Sequence, residues 1–234
     1  MKKVFITGIL ILVLILSLSL FTACKAKEKA EQKSTLEKRV STYHDAVYVG
    51  SNDDFTASFI TGESEKLIVI DGEAGELAPF ATLTVTPLSA GLFNNTYTYL
   101  LKGENGERSG DLVKDVVGAA FFAEVENAKE IGKITSLVIH AQELYESELP
   151  LSDKLEGALT WKEILAVAEK EFAENIKQES DTGNLSREIY IKLVNALSDD
   201  DAPYYYYVSF IKSPSDYWAL LLNPMTGEVI SKKV

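Results

Sequence analysis

Two histidines and one cysteine are all that the 234 residues offer as imidazole or thiolate ligands for a metal. His140 is followed by Ala-Gln-Glu-Leu, so the second histidine of a His-Glu-x-x-His zinc helix is missing. A lone cysteine makes neither an intrachain disulfide nor a Cys-rich zinc site. There is no phosphate loop, dinucleotide glycine pattern or serine elbow. Nothing in the spacing positions a Ser-His-Asp set or singles out a glycosidase carboxylate pair. Asp53-Asp54 and Asp199-Asp200-Asp201 supply oxygen donors of the kind calcium takes, but without the EF-hand glycine and distal glutamate; they read as solvated turns. His44 and His140 sit in strand-like runs and read as hydrogen-bonded side chains rather than ligands. No catalytic residue, metal or cofactor is implied, and the chain does not read as an enzyme.

What remains is aromatic. Tyr204, Tyr205, Tyr206 and Tyr207 stand in one strand-like run, and Tyr217 and Trp218 in the next. In a strand Tyr204, Tyr206, Val208 and Phe210 share one face, and Tyr205, Tyr207, Ser209 and Ile211 the other. Trp218, Leu220 and Leu222 lie opposite Tyr217, Ala219 and Leu221. A helix covers one side of such a sheet. Tyrosines on the other side form a polar-tipped aromatic surface of the kind enriched at interfaces, unless another part of the chain buries them as core. These six aromatic residues are the candidate partner-binding set.

Charge narrows the partner. The chain has 23 Lys+Arg against 35 Asp+Glu, a net charge of -12, and beyond Arg39 there are 15 against 32, a net charge of -17. Nucleic-acid binding needs basic surface to release counterions, so it is disfavoured. A hydrophobic fraction of 46% is too apolar for a disordered chain. The length beyond the leader suits one large domain or two of about 100 residues.

Lys2 and Lys3 precede an uncharged run over residues 4–23 that ends Leu20-Phe21-Thr22-Ala23-Cys24. A basic start, an apolar middle and small residues before a cleavage point make a signal peptide. The last five residues resemble the lipobox of bacterial lipoprotein precursors, although Phe21 stands where leucine is usual. The resemblance implies that Cys24 is lipidated and becomes the first residue, holding the rest on the extracytoplasmic face of the cell membrane. The alternative is an uncleaved span, since about 20 apolar residues cross a bilayer. Lys25, Lys27 and Lys29 then balance Lys2 and Lys3 and weaken the positive-inside asymmetry. Residues 24–39 read as a basic tether, with six cations against three acids beyond Cys24.

The elements around these residues fall into two regions. Residues 40–150 read as β-rich: runs at 43–49, 55–61, 66–71, 80–85, 96–101 and 134–140, with turns at 50–54 and 103–106. Leu112, Val113, Val116, Val117, Ala120 and Phe121 follow helical spacing and predict a helix there. A weak break lies near 146–157. In residues 155–234, Thr160 with Glu163 predicts a capping box opening a helix to Glu179, with Trp161, Ile164, Leu165, Ala168, Phe172 and Ile176 on its apolar stripe. Strands follow at 188–196, 203–212 and 216–222, then a turn and a short strand ending near Ile230.

A helix, an antiparallel meander and a terminal Trp-Ala-Leu-Leu-Leu-Asn-Pro-Met-Thr-Gly-Glu-Val-Ile resemble a PepSY domain, a small extracytoplasmic module of bacterial lipoproteins and peptidase propeptides. Asn223 replaces the more usual aspartate, and residues 197–203 make a longer loop than the family has. The resemblance implies an α+β class, antiparallel sheets with few helices ending in a PepSY-like helix and meander. It also implies a regulatory or binding protein that captures or inhibits an envelope peptidase or another protein or peptide. The other class left open is a solute-binding lipoprotein feeding a transporter, which expects alternating β-α units around a cleft.

Overall fold

Three consecutive residues of the first strand, Val47, Tyr48 and Val49, are all buried. A half-buried strand alternates; a continuous apolar run marks a strand covered on both faces. β1 (Val40–Ser51) is such a strand: Tyr48 belongs to one hydrophobic core, and Val40, Tyr43, Val47 and Val49 to another. The computed structural model that shows this describes residues 36–66, 70–115, 120–141, 145–181, 185–195 and 203–234. The leader, Cys24, most of the tether, residues 67–69 of the run at 66–71, Val116 and Val117, and Asp199, Asp200 and Asp201 lie outside the described residues.

One side of β1 leads into a barrel. β2 (Phe55–Glu65), β3 (Leu77–Pro87), β6 (Phe121–Glu124), β5 (Gly106–Lys114), β4 (Tyr97–Gly103), β7 (Ile134–Ala141) and β8 (Tyr145–Pro150) follow in spatial order, all antiparallel. β9 (Ser152–Asp153), one residue beyond β8, pairs back on β1 through Tyr48↔Asp153 and Val49↔Ser152, so the ring closes. At the seam an ideal Cβ on Gly50 would stand 2.2 Å from the Pro150 carbonyl oxygen, so only glycine permits the approach. The Asn52 side-chain amide donates to Ser147 Oγ at 2.8 Å across the same seam. Phe55, Phe59, Leu83, Tyr97, Leu101, Phe121, Leu137 and Ile139 fill the interior. Tyr97 meets Phe55 and Phe121 edge to face at 5.4 and 4.9 Å, and its hydroxyl donates to the Leu92 carbonyl at 2.6 Å.

The other side of β1 leads into a second sheet. β10 (Glu188–Asn195) runs parallel to the start of β1, pairing Val40↔Ile189 and Tyr43↔Ile191. β11 (Tyr204–Ser213), β12 (Asp216–Leu222) and β13 (Val229–Lys233) continue it as an antiparallel meander. Helix α1 (Trp161–Glu171) starts at Thr160, whose hydroxyl accepts from the Glu163 amide while Glu163 Oε2 accepts from the Thr160 amide at 2.8 Å. Its Ile164, Leu165 and Ala168, with Phe172 beyond, pack on Ile191, Val208, Phe210 and Leu220 in the second core. A shorter helix, α2 (Ala173–Asp181), follows.

Two expectations are corrected. The α+β, PepSY-like class does not hold: the described residues form one mostly β fold, a 13-stranded mixed sheet with two helices. The helix and meander exist as segments, but their first strand pairs with β1, so they extend the barrel's sheet. The described residues of the helix expected near 112–121 do not form one. Leu112 and Val113 belong to β5 and Phe121 to β6, a hairpin joined by Val113↔Phe122 and Lys114↔Phe121. Leu112 and Phe121 both enter the barrel core, which rewards strand alternation over helical spacing.

Candidate functional site: a tyrosine and lysine face

The alternation of β11 divides the four tyrosines. Tyr206 is 2% exposed in the second core, where its hydroxyl donates to the Leu159 carbonyl at 3.2 Å and burial pushes its pKa up to about 12. Trp218 is buried as well, with the Arg187 guanidinium 4.0 Å above its ring. Arg187 in turn pairs with Glu179 at 2.9 Å and with Asp216 at 2.9 Å, tying α2 to the start of β12. Tyr204 is half-buried and packs against the same core. These three are structural.

Tyr205, Tyr207 and Tyr217 stand on the opposite face and are half-buried. In register Tyr207 lies between Lys192 of β10 and Leu221 of β12, Tyr205 beside Val194, and Tyr217 beside Ile211. The Lys233 ammonium sits 3.3 Å from the Tyr217 ring centroid, a cation–π contact. Burial and the neighbouring Tyr217 raise the Tyr207 pKa, against the pull of Lys233. Tyr190, buried beside them, has the Lys192 ammonium 5.6 Å from its ring centroid. The face therefore presents aromatic rings, phenol tips and two ammonium groups on a body that is otherwise strongly acidic. Aromatic rings and ammonium groups of this kind can contact apolar and carboxylate-bearing groups.

One end of this face is anchored by a residue the sequence did not single out. Glu188 is wholly buried, and its carboxylate accepts from the amides of Asp71 (2.6 Å) and Gly72 (3.1 Å) and the hydroxyls of Ser41 (3.2 Å) and Tyr190 (2.7 Å). Four donors satisfy a charge that burial would otherwise penalise. Burial and this bond to Glu188 raise the Tyr190 hydroxyl well above the usual phenol range. Glu65 holds the next turn by accepting from the Gly75 amide, and Arg39 donates to the Gly72 carbonyl at 2.5 Å. Lys192 and Tyr190 were legible in principle, since they alternate with Ile189, Ile191 and Leu193. Glu188 gave no signal, because acidic residues are seldom fully buried.

Both histidines are hydrogen-bonding or pairing side chains. His44 Nδ1 accepts from the Leu193 amide at 3.0 Å, and its ring meets Phe80 edge to face at 5.6 Å. Burial, helped by Lys192, lowers its pKa to about 4. His140 Nδ1 lies 3.5 Å from Glu146. Asp54 accepts from the Tyr145 hydroxyl at 2.5 Å, beside Asp53 in the turn before β2. Among the described residues no three acidic, histidine or cysteine side chains gather as a metal site, and no helix is long and apolar enough to cross a membrane. Compared with known proteins, the chain matches no family model, no curated protein and no solved structure.

Proposed function

We propose that this protein is a membrane-anchored, extracytoplasmic lipoprotein of the binding or regulatory type, and that it holds an envelope protein or peptide on the face carrying Tyr205, Tyr207 and Tyr217. The observation that carries the reading is the half-buried tyrosine set with Lys233 stacked on Tyr217, on the side of the sheet away from the helices. Tyrosine brings large, rigid contact area and a polar tip, the combination found at binding hot spots. Cys24, with the apolar run before it, supports the anchor. A solute-binding role draws no support from the barrel, whose interior side chains fill it.

The test is crosslinking from native membranes with the full chain and with Tyr205→Ala/Tyr207→Ala/Tyr217→Ala. The triple variant should fold and lose its crosslinked partner. An unchanged set of crosslinks would discard the assigned face. Mass spectrometry of the mature amino terminus tests the anchor separately: an acylated Cys24 is expected, and an unmodified Met1 start would sink it.

A further inference from the structure

The barrel closes through β9, which returns to β1, whereas β8 pairs along its length with β7. Among the described residues the path of strands ends on β8 and on β13, whose outer side has no paired strand, and β13 is the end that borders the tyrosine face. Its residues 230–233 are exposed. Unpaired edges are templates for another strand, and proteins commonly guard them with lysine. β13 carries Lys232 and Lys233 in succession. Lys232 lies on the helix side, 3.7 Å from Glu171, and Lys233 lies over Tyr217 on the tyrosine side.

Charge decides which occupant this edge accepts. A second copy pairing antiparallel would bring two Lys232-Lys233 pairs together along the same short ladder, and like charges across strands are destabilising. An extended segment bearing carboxylates meets attraction instead, from Lys232 and Lys233 at the edge. Its alternate side chains would fall beside Lys233 and Ser231, with Tyr217 and Leu221 one strand further in, because Ala219↔Lys233 and Leu221↔Ser231 set the adjoining register.

We propose that β13 is a strand-addition site for an extended acidic segment of the partner, which gains main-chain hydrogen bonds from the β13 edge and side-chain contacts at the border of the tyrosine face, where Lys233 covers Tyr217. This rests on the reading of that face as the binding surface and adds the backbone conformation and charge of what binds.

The experiment uses the full chain in detergent micelles and three labelled, end-blocked peptides followed by fluorescence anisotropy. One alternates Thr and Glu, one alternates Thr and Lys, and one is the acidic peptide N-methylated at alternate amides on one edge. The acidic peptide should bind about tenfold or more tighter than the other two and weaken with salt. Lys232→Glu/Lys233→Glu should reverse the preference between the two charged peptides. Equal binding of the N-methylated and unmodified acidic peptides would overturn strand addition, and no acidic binding would overturn the charge assignment. Binding that needs the β13 lysines but survives Tyr205→Ala/Tyr207→Ala/Tyr217→Ala would instead remove the tyrosine face and leave the edge.

Discussion

The imidazole of His44 takes the place of a backbone carbonyl: its Nδ1 accepts the Leu193 amide at 3.0 Å, just beyond the last parallel pair between β1 and β10, Tyr43↔Ile191. A ring nitrogen accepts only when unprotonated, and burial together with Lys192 keeps the folded pKa near 4, below the ordinary 6.5. Between about pH 6.5 and pH 4 the unfolded chain binds a proton that the folded chain does not, so stability falls as pH falls through this window. The contribution is fully present above about pH 6.5 and amounts to roughly 2 to 3 kcal/mol. Urea unfolding at about pH 7 and pH 4.5 checks this. The parent should lose about 2 kcal/mol more than His44→Gln, whose amide oxygen accepts without titrating. Equal losses would show that His44 is not the coupled group.

Glu188 predicts a local consequence. Replacing it with leucine strands the amides of Asp71 and Gly72 and the hydroxyls of Ser41 and Tyr190, and should cost about 3 to 5 kcal/mol. Glu188→Gln keeps one acceptor oxygen and should cost less. Amide hydrogen exchange should quicken first at Asp71 and Gly72, while Leu137 and Ile139 in β7 hold their protection. Uniform loss across both would argue against a local anchor.

The seam of the barrel gives a steric prediction. Gly50→Ala places its Cβ against the backbone oxygen of Pro150 and should destabilise by about 2 kcal/mol or more. Gly91 has nothing within 4 Å of an added Cβ, so Gly91→Ala serves as the control, with a change within about 0.5 kcal/mol. Thermal unfolding of the two variants separates crowding at the seam from a general intolerance of glycine replacement.

At the amino end of α1, Thr160→Ala removes the acceptor of the Glu163 amide and should cost about 1 kcal/mol, while Thr160→Ser should be nearly neutral. Matching losses in both would mean that the methyl, not the hydroxyl, carries the effect. Tyr206→Ala should cost about 3 to 5 kcal/mol as a core truncation, in contrast to the outward Tyr207→Ala.

The elements that could be read in advance are those whose signals are local. The capping box at Thr160 and Glu163, the strand around Ile189, Ile191 and Leu193, and the turn at 103–106 each depend on neighbours within a few residues. Leu112, Val113 and Phe121 take part in a helical spacing in the sequence, yet they lie in β5 and β6, because only the barrel core selects strands for them. β8 was passed over because Tyr145, Glu146, Ser147 and Glu148 are mostly polar, while Leu149 alone is fully buried there. Of the six aromatic residues singled out, strand alternation correctly grouped Tyr205 with Tyr207 against Tyr206. It did not reveal Lys192, Lys233 or Glu188, whose roles arise from strands that meet across the sheet. Closure of the ring depends on β1 meeting β9, a hundred residues away in the chain, which no short window contains.

The strand held in common by both cores also dictates timing. Synthesis delivers β1 early, but its parallel neighbour β10 arrives only after the whole barrel segment has emerged. Val47, Tyr48 and Val49 must wait, uncovered on at least one side, through most of that delivery. Non-local pairing of this kind slows folding and leaves sticky intermediates open to aggregation.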